Sequence, residues 1–195
     1  MDRRASISRK TKETAINISF DLDGSGKVDI STGIPFFDHM LTAFAVHGFF
    51  DLEIIATGDL EVDYHHMVED IGLVLGQAFS KTLETKKSIV RFGDCCIPMD
   101  EALSRVTIDV SNRPYLVYNF PVDLKVKGSF DAYLAKEFFQ AFCIQGAINL
   151  HINSYYGENE HHVLESIFKA FGKSLHRATR INDSIVGVLS SKGIL

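Results

Sequence analysis

His65-His66-Met67-Val68-Glu69 and His161-His162-Val163-Leu164-Glu165 spell one word, HHxxE, twice in a single chain. One copy is compatible with chance, because histidine and glutamate both sit comfortably on helix surfaces. Two copies carry more weight, because their surroundings align as well. An offset of 98 positions sets Ala43 on Ala141, Phe44 on Phe142, Gly48 on Gly146 and Leu52 on Leu150. After a slip of two residues in the next loop, His65-His66 falls on His161-His162, Glu69 on Glu165 and Gly76 on Gly172. The chain reads as a duplicated unit, with one site assembled from both halves.

Working outward, apolar alternation marks strands at 14–20 and 27–30, joined through Gly24-Ser25-Gly26 as a hairpin. Helical spacing takes over at 35–46, with Pro35 near its start and Gly48 beyond its end. A strand at 50–56 ends in the Thr57-Gly58-Asp59 break, and a long amphipathic helix occupies about 65–85. Strands at 95–99 and 103–110 flank an acidic turn. The plan then repeats, with a strand at 115–120, a helix at 132–144, a strand at 147–155 and a helix at 161–177. No Pro- or Ser-rich linker separates the halves. The expected fold is therefore α+β, with two repeated half-domains that each hold a small mixed β-sheet with two helices on one face. The helices of the two halves are expected to pack together. Residues 1–195 form a single domain in this reading, with pseudo-repeats at about 10–95 and 100–185 and a short C-terminal tail.

The bulk properties narrow the partners. Net charge is −5 and the basic residues are scattered, which speaks against nucleic acid, since binding it needs a concentrated basic face. Met1-Asp2-Arg3-Arg4-Ala5 lacks the apolar core of a secretory signal, and no apolar run approaches membrane-spanning length. Cys95, Cys96 and Cys143 make an odd count with no CxxC, which suits a reducing cytoplasm. All three are expected to act as small buried hydrophobes.

Helix geometry gives the repeated word a chemistry. Residues four apart share a helix face, while neighbours diverge by about 100°. His65 and Glu69 can therefore chelate one ion while His66 points elsewhere, and His161, Glu165 and His162 repeat the arrangement. The offset of 98 also sets His39 on Glu137, two competent ligands that precede their motifs by 26 and 24 positions. The set becomes His39, His65, His66, Glu69, Glu137, His161, His162 and Glu165, four protein groups for each of two metals. An octahedral ion would keep two positions open for substrate and water. Imidazole and carboxylate donors without thiolate suit Mn or Fe better than tetrahedral Zn, and two Mn2+ per site are expected. His47, His151 and His176 fall opposite Gln145, Glu53 and Ser80 and stay outside the set.

These residues stand in a longer ordered series. It includes Arg9-Lys10-Thr11-Lys12-Glu13-Thr14, Gly33-Ile34-Pro35-Phe36-Phe37-Asp38-His39-Met40-Leu41 and Asp63-Tyr64 before the first motif. Arg91-Phe92-Gly93, Pro98-Met99-Asp100-Glu101-Ala102-Leu103 and Asp109-Val110-Ser111-Asn112-Arg113-Pro114-Tyr115 follow, then Phe168-Lys169-Ala170 and Ser190-Ser191-Lys192-Gly193. Over essentially its whole length the chain resembles the imidazoleglycerol-phosphate dehydratase family. Many members carry histidine where this chain has Glu137, a departure that bears on metal preference rather than on the reaction.

The resemblance implies a hydro-lyase of histidine biosynthesis that converts D-erythro-imidazole glycerol phosphate to imidazole acetol phosphate. The proton to be removed lies beside no carbonyl and needs another electron sink. A ring held by two cations can become a dimetal-bound imidazolate and expel the adjoining hydroxyl through a diazafulvene-like intermediate. A carboxylate then takes the proton of the next carbon, and the enol becomes the ketone. Glu165 is the expected base; Glu13 is the alternative, or a group that positions the substrate. Besides Glu13, the resemblance implies substrate contacts at His65, His66, Glu69 and His161, and phosphate contacts at Arg91, Arg113, Lys169, Ser190, Ser191 and Lys192. It also implies a homo-oligomer, a 24-mer built from trimers with interfacial active sites. A two-metal hydrolase is the competing enzyme reading, and a metal-storing scaffold the non-catalytic one.

Overall fold

Apolar residues at every second position give each half a sheet with one wet and one buried face. In the computed structural model, which describes residues 3–120, 130 and 132–194, that alternation yields two sheets with a common plan. The first half runs β1 (Arg4–Lys10), β2 (Thr14–Asp21), β3 (Val28–Ser31), α1 (Pro35–Gly48), β4 (Asp51–Gly58) and α2 (His65–Thr82). The second runs β5 (Phe92–Met99), β6 (Ala102–Asp109), β7 (Tyr115–Asn119), α3 (Ala132–Gly146), β8 (Asn149–Tyr156) and α4 (Glu160–Thr179). Strand orders are β1-β2-β4-β3 and β5-β6-β8-β7, antiparallel except where β3 meets β4 and β7 meets β8. Each sheet is thus mixed, and each parallel pair is bridged by a helix, α1 or α3. The expected α+β duplication is what the chain adopts.

Three local expectations are corrected. The segments at 14–20 and 27–30 form no hairpin: β2 lies between β1 and β4, and β3 joins the far edge of β4, Val28 opposite Leu52. The Asp51 carboxylate explains the detour. It accepts the backbone N–H groups of Ser25 (2.7 Å) and Lys27 (2.9 Å) and so draws the loop toward the start of β4. Gly48 is the last residue of α1 rather than the residue after it, and Phe49 takes the left-handed conformation (φ 59°). Its repeat partner Ala147 does the same (φ 52°). The third correction concerns Cys96, which is exposed while Cys95 and Cys143 are buried, because alternation along β5 turns adjacent side chains to opposite faces.

Strand pairing also moves the seam between the halves. β5 pairs with β6 from Phe92 onward, so residues 92–95 belong to the second sheet, and β1 carries the first sheet back to Arg4. β1 is hard to foresee, since Ala5 alone on it is buried. Met1 and Asp2 lie outside the described residues. Among the described residues, no helix is long and apolar enough to cross a membrane.

The helices lie against the buried sheet faces and exchange partners between halves: α1 packs on α4, and α2 on α3. Glycines at the crossings permit this approach. A Cβ at Gly76 would fall 2.8 Å from the Phe142 carbonyl oxygen, and one at Gly172 would fall 2.2 Å from the Phe44 carbonyl oxygen. Gly76 and Gly172 are repeat partners, as are Phe142 and Phe44, so one helix crossing is built twice. Rings fill the space between: Phe171 stacks on Phe44 (4.9 Å between centroids) and meets Phe142 edge-on (5.1 Å).

Candidate active site

Both HHxxE words lie in the first turns of a helix, and in both a side chain two residues ahead accepts the first histidine's backbone N–H. The Asp63 carboxylate accepts the His65 backbone N–H (2.8 Å), and the Asn159 side chain accepts that of His161 (3.0 Å). Asp63 and Asn159 are separated by the same 96 positions as the histidines, so the contact belongs to the repeat. The next turn is pinned to its sheet. Asp70, buried after Glu69, takes the Thr14 hydroxyl and the Arg9 guanidinium (2.5 Å). In the second half Ser166 donates instead to the Ser104 hydroxyl (2.7 Å).

The α1–α4 crossing brings His39 of one half to His161 and Glu165 of the other. Glu165 Oε2 lies 3.1 Å from His161 Nε2 and 3.3 Å from His39 Nε2, and the ligand atoms of the three lie within 4.8 Å of one another. Two imidazoles and a carboxylate at that spacing fit a divalent cation at ordinary bond lengths of roughly 2 Å. Phe36 supports the cluster, its ring meeting His161 edge-on at 5.1 Å. Lys169, one turn along α4, places its ammonium 2.7 Å from Glu165 Oε1. Burial pushes the Glu165 carboxyl up, but Lys169 and then His39 outweigh it and hold the group at about 2.

The α2–α3 crossing carries the other first-half residues of the expected ligand set. His65 Nε2 stands 3.7 Å from Glu69 Oε2, and the His65 ring stacks with Tyr133 at 6.3 Å. Glu137 lies on α3, the helix that packs against α2. Among the described residues, the one cluster of three ligands is His39, His161 and Glu165. The eight expected ligands are therefore divided over two helix pairs rather than gathered in one.

The second histidine of each word turns away from the first, as helix geometry requires, and meets a carboxylate that sequence reasoning missed. His66 Nδ1 lies 3.1 Å from Asp59 Oδ2, just past β4, and His162 Nδ1 lies 2.7 Å from Glu101 Oε2, in the β5–β6 turn. Asp59 raises the pKa of His66 above its ordinary value, and Glu101 does the same for His162. Glu101 itself is held at about 2, first by His162 and then by the Asn159 N–H. Glu13, in the β1–β2 turn, accepts the Asp59 N–H through its carbonyl (3.1 Å). Its negative charge also raises His66.

The remaining expected residues fall at the C-terminal tail and its neighbours. Arg91 spends Nε and Nη2 on Asp109 (2.7 and 3.0 Å) and Nη1 on the Leu189 carbonyl (2.7 Å). Asp109 also faces Arg113, which is largely exposed, at 3.6 Å. Ser190 and Ser191 border a surface cavity of about 490 Å³ beside Arg91, and the Lys192 N–H donates to Ser190 Oγ (3.2 Å).

Similarity to known proteins agrees with this geometry. The model of the family described as imidazoleglycerol-phosphate dehydratase matches residues 32–175. Imidazoleglycerol-phosphate dehydratases of Trichlorobacter lovleyi and Acetivibrio thermocellus are 56% and 53% identical, with the full length of each chain covered. The crystal structure of the Pyrococcus furiosus enzyme in complex with (S)-C348 has a TM-score of 0.85 at 38% identity, covering 97% of this chain and all of that one. That of the Staphylococcus aureus enzyme has a TM-score of 0.82 at 40% identity, covering 92% and 99%.

Proposed function

The chain belongs to the imidazoleglycerol-phosphate dehydratase family, and from that premise we propose how its residues carry out the dehydration. It is a carbon–oxygen lyase that dehydrates imidazole glycerol phosphate in histidine biosynthesis. D-erythro-imidazole glycerol phosphate is the substrate and imidazole acetol phosphate the product in this reading. The observation that carries it is the His39–His161–Glu165 cluster, donated by both halves. Imidazole and carboxylate donors without thiolate favour two Mn2+ per site, held by His39, His65, His66, Glu69, Glu137, His161, His162 and Glu165. When bound, such cations lower the pKa of the substrate's ring N–H and so favour the imidazolate.

The residues then divide the work. Electron density from the ring would expel the adjoining hydroxyl as water, which takes the proton the ring gave up; the diazafulvene-like species would then lose a proton from its next carbon to a carboxylate. Glu165, held at about 2 and engaged by His39, His161 and Lys169, suits a ligand better than a base. Glu13 suits the base: it is exposed, lies beside His66, and among the described residues its carboxylate takes no hydrogen bond or ion pair. In this proposal Glu13 is the base and Glu165 a metal ligand. Arg91, Arg113, Lys169 and the Ser190-Ser191-Lys192 tail hold the phosphate. Completing four ligands per ion from two separate helix pairs calls for a neighbouring copy, in keeping with interfacial sites in a 24-mer of trimers. Three free thiols suit a cytoplasmic enzyme.

Two substitutions test the division. Glu13→Gln is expected to lower kcat by roughly 10²–10⁴-fold while metal content stays at the parental level. Glu165→Gln is expected to lose metal together with activity. Near-normal turnover by Glu13→Gln would remove it as the base.

A further inference from the structure

Resting on the reading of His66 and His162 as metal ligands, we propose that Asp59 and Glu101 are positioning residues that fix the tautomer of these histidines. Each carboxylate accepts the Nδ1 proton (3.1 Å at His66, 2.7 Å at His162), which leaves the Nε2 lone pair for a cation. At His162 the Asn159 amide nitrogen, a donor, lies 3.4 Å from Nε2 and suits a lone pair there, while the Asp100 carboxylate stands beyond hydrogen-bond reach at 3.8 Å. The two carboxylates are not repeat partners. Asp59 follows a strand between the first helix and the motif, whereas Glu101 sits in a hairpin turn far ahead of its motif. Unrelated places in the two halves thus supply the same contact to equivalent histidines. Inheritance from the duplication does not explain that coincidence; a shared demand on the ring does.

Glu101 gives the proposal a sharp test. Its Oε1 already accepts the backbone N–H groups of Asn159 (2.8 Å) and Glu158 (3.2 Å), so only Oε2 faces His162. In Glu101→Gln the amide oxygen keeps the backbone contacts and the amide nitrogen is left opposite Nδ1. Two donors then face each other unless the ring moves its proton to Nε2, which blocks the metal. Asp59→Asn can turn its amide oxygen toward His66 and keep the tautomer, and Asp59→Ala cannot.

Titration of the metal-free full chain with Mn2+ separates these cases, with far-UV circular dichroism and thermal melting as fold controls. At about pH 8, where the protonated rings no longer add to stability, Glu101→Gln and Asp59→Ala are expected to bind roughly ten- to a hundredfold more weakly with unchanged melting, and Asp59→Asn within about threefold of the parent. Parental affinity in Glu101→Gln or Asp59→Ala overturns the proposal. So does a loss in Asp59→Asn equal to that in Asp59→Ala. His66→Ala and His162→Ala serve as references: if they too bind Mn2+ like the parent, the ligand reading fails rather than the positioning role.

Discussion

At the residue scale, the second histidines, as the proposed metal ligands, couple metal uptake to pH with a sign opposite to their effect on folding. Asp59 and Glu101 raise their folded pKa values above 6.5. In the metal-free chain this contribution to stability is complete below about 6.5 and is lost as pH rises through the raised values. A cation must displace the proton, so Mn2+ affinity rises over the same interval. Calorimetric titration at about pH 6 and about pH 8 should show tighter binding at the higher pH, with heats that depend on the buffer's ionisation enthalpy. Equal affinity at both would remove these histidines from the ligand set. The partnership of His65 and Glu69 was legible in advance, because an i, i+4 spacing is itself a statement about one helix face. Asp59 and Glu101 were not: their contacts join loops to helices, and no offset relates them.

At the element scale, the helix crossings set the site, since His39 reaches Glu165 only as closely as α1 reaches α4. Gly172→Ala and Gly76→Ala probe this directly. On an unpacked helix each change would stabilise by about 1 kcal/mol through propensity. Here the new Cβ meets a backbone carbonyl that cannot rotate away, so we expect a net loss of roughly 1–3 kcal/mol, larger for Gly172 with its closer approach. Denaturant midpoints measure the stability, and a rise from either substitution would show that the crossing is loose. Gly172→Ala should also weaken Mn2+ binding by separating His39 from Glu165. The repeat disclosed which glycines correspond, and periodicity located the helices. Which edge β3 would choose could not be read from apolar alternation, because that pattern sets a face and not a neighbour; Asp51 and its two backbone donors make the choice.

At the scale of the whole molecule, duplication and division oppose each other. The pseudo-symmetry of the chain yields two crossings of one design, each holding part of the proposed ligand set: His39, His161 and Glu165 on one, His65, Glu69 and Glu137 on the other. In the proposed assembly, the catalytic centre joins the α1–α4 crossing of one copy to the α2–α3 crossing of another. Subunit mixing tests this without a structure. His39→Ala disables the first crossing and Glu69→Ala the second, and each variant alone should be nearly inactive. If sites are shared between two copies, random co-assembly pairs an intact α1–α4 crossing with an intact α2–α3 crossing at about one interface in four. Unfolding and refolding the two variants together should then restore about a quarter of parental activity, while refolding them apart and mixing afterwards should restore almost none. A site contained within one chain predicts no recovery under either protocol, because every chain would carry one broken half.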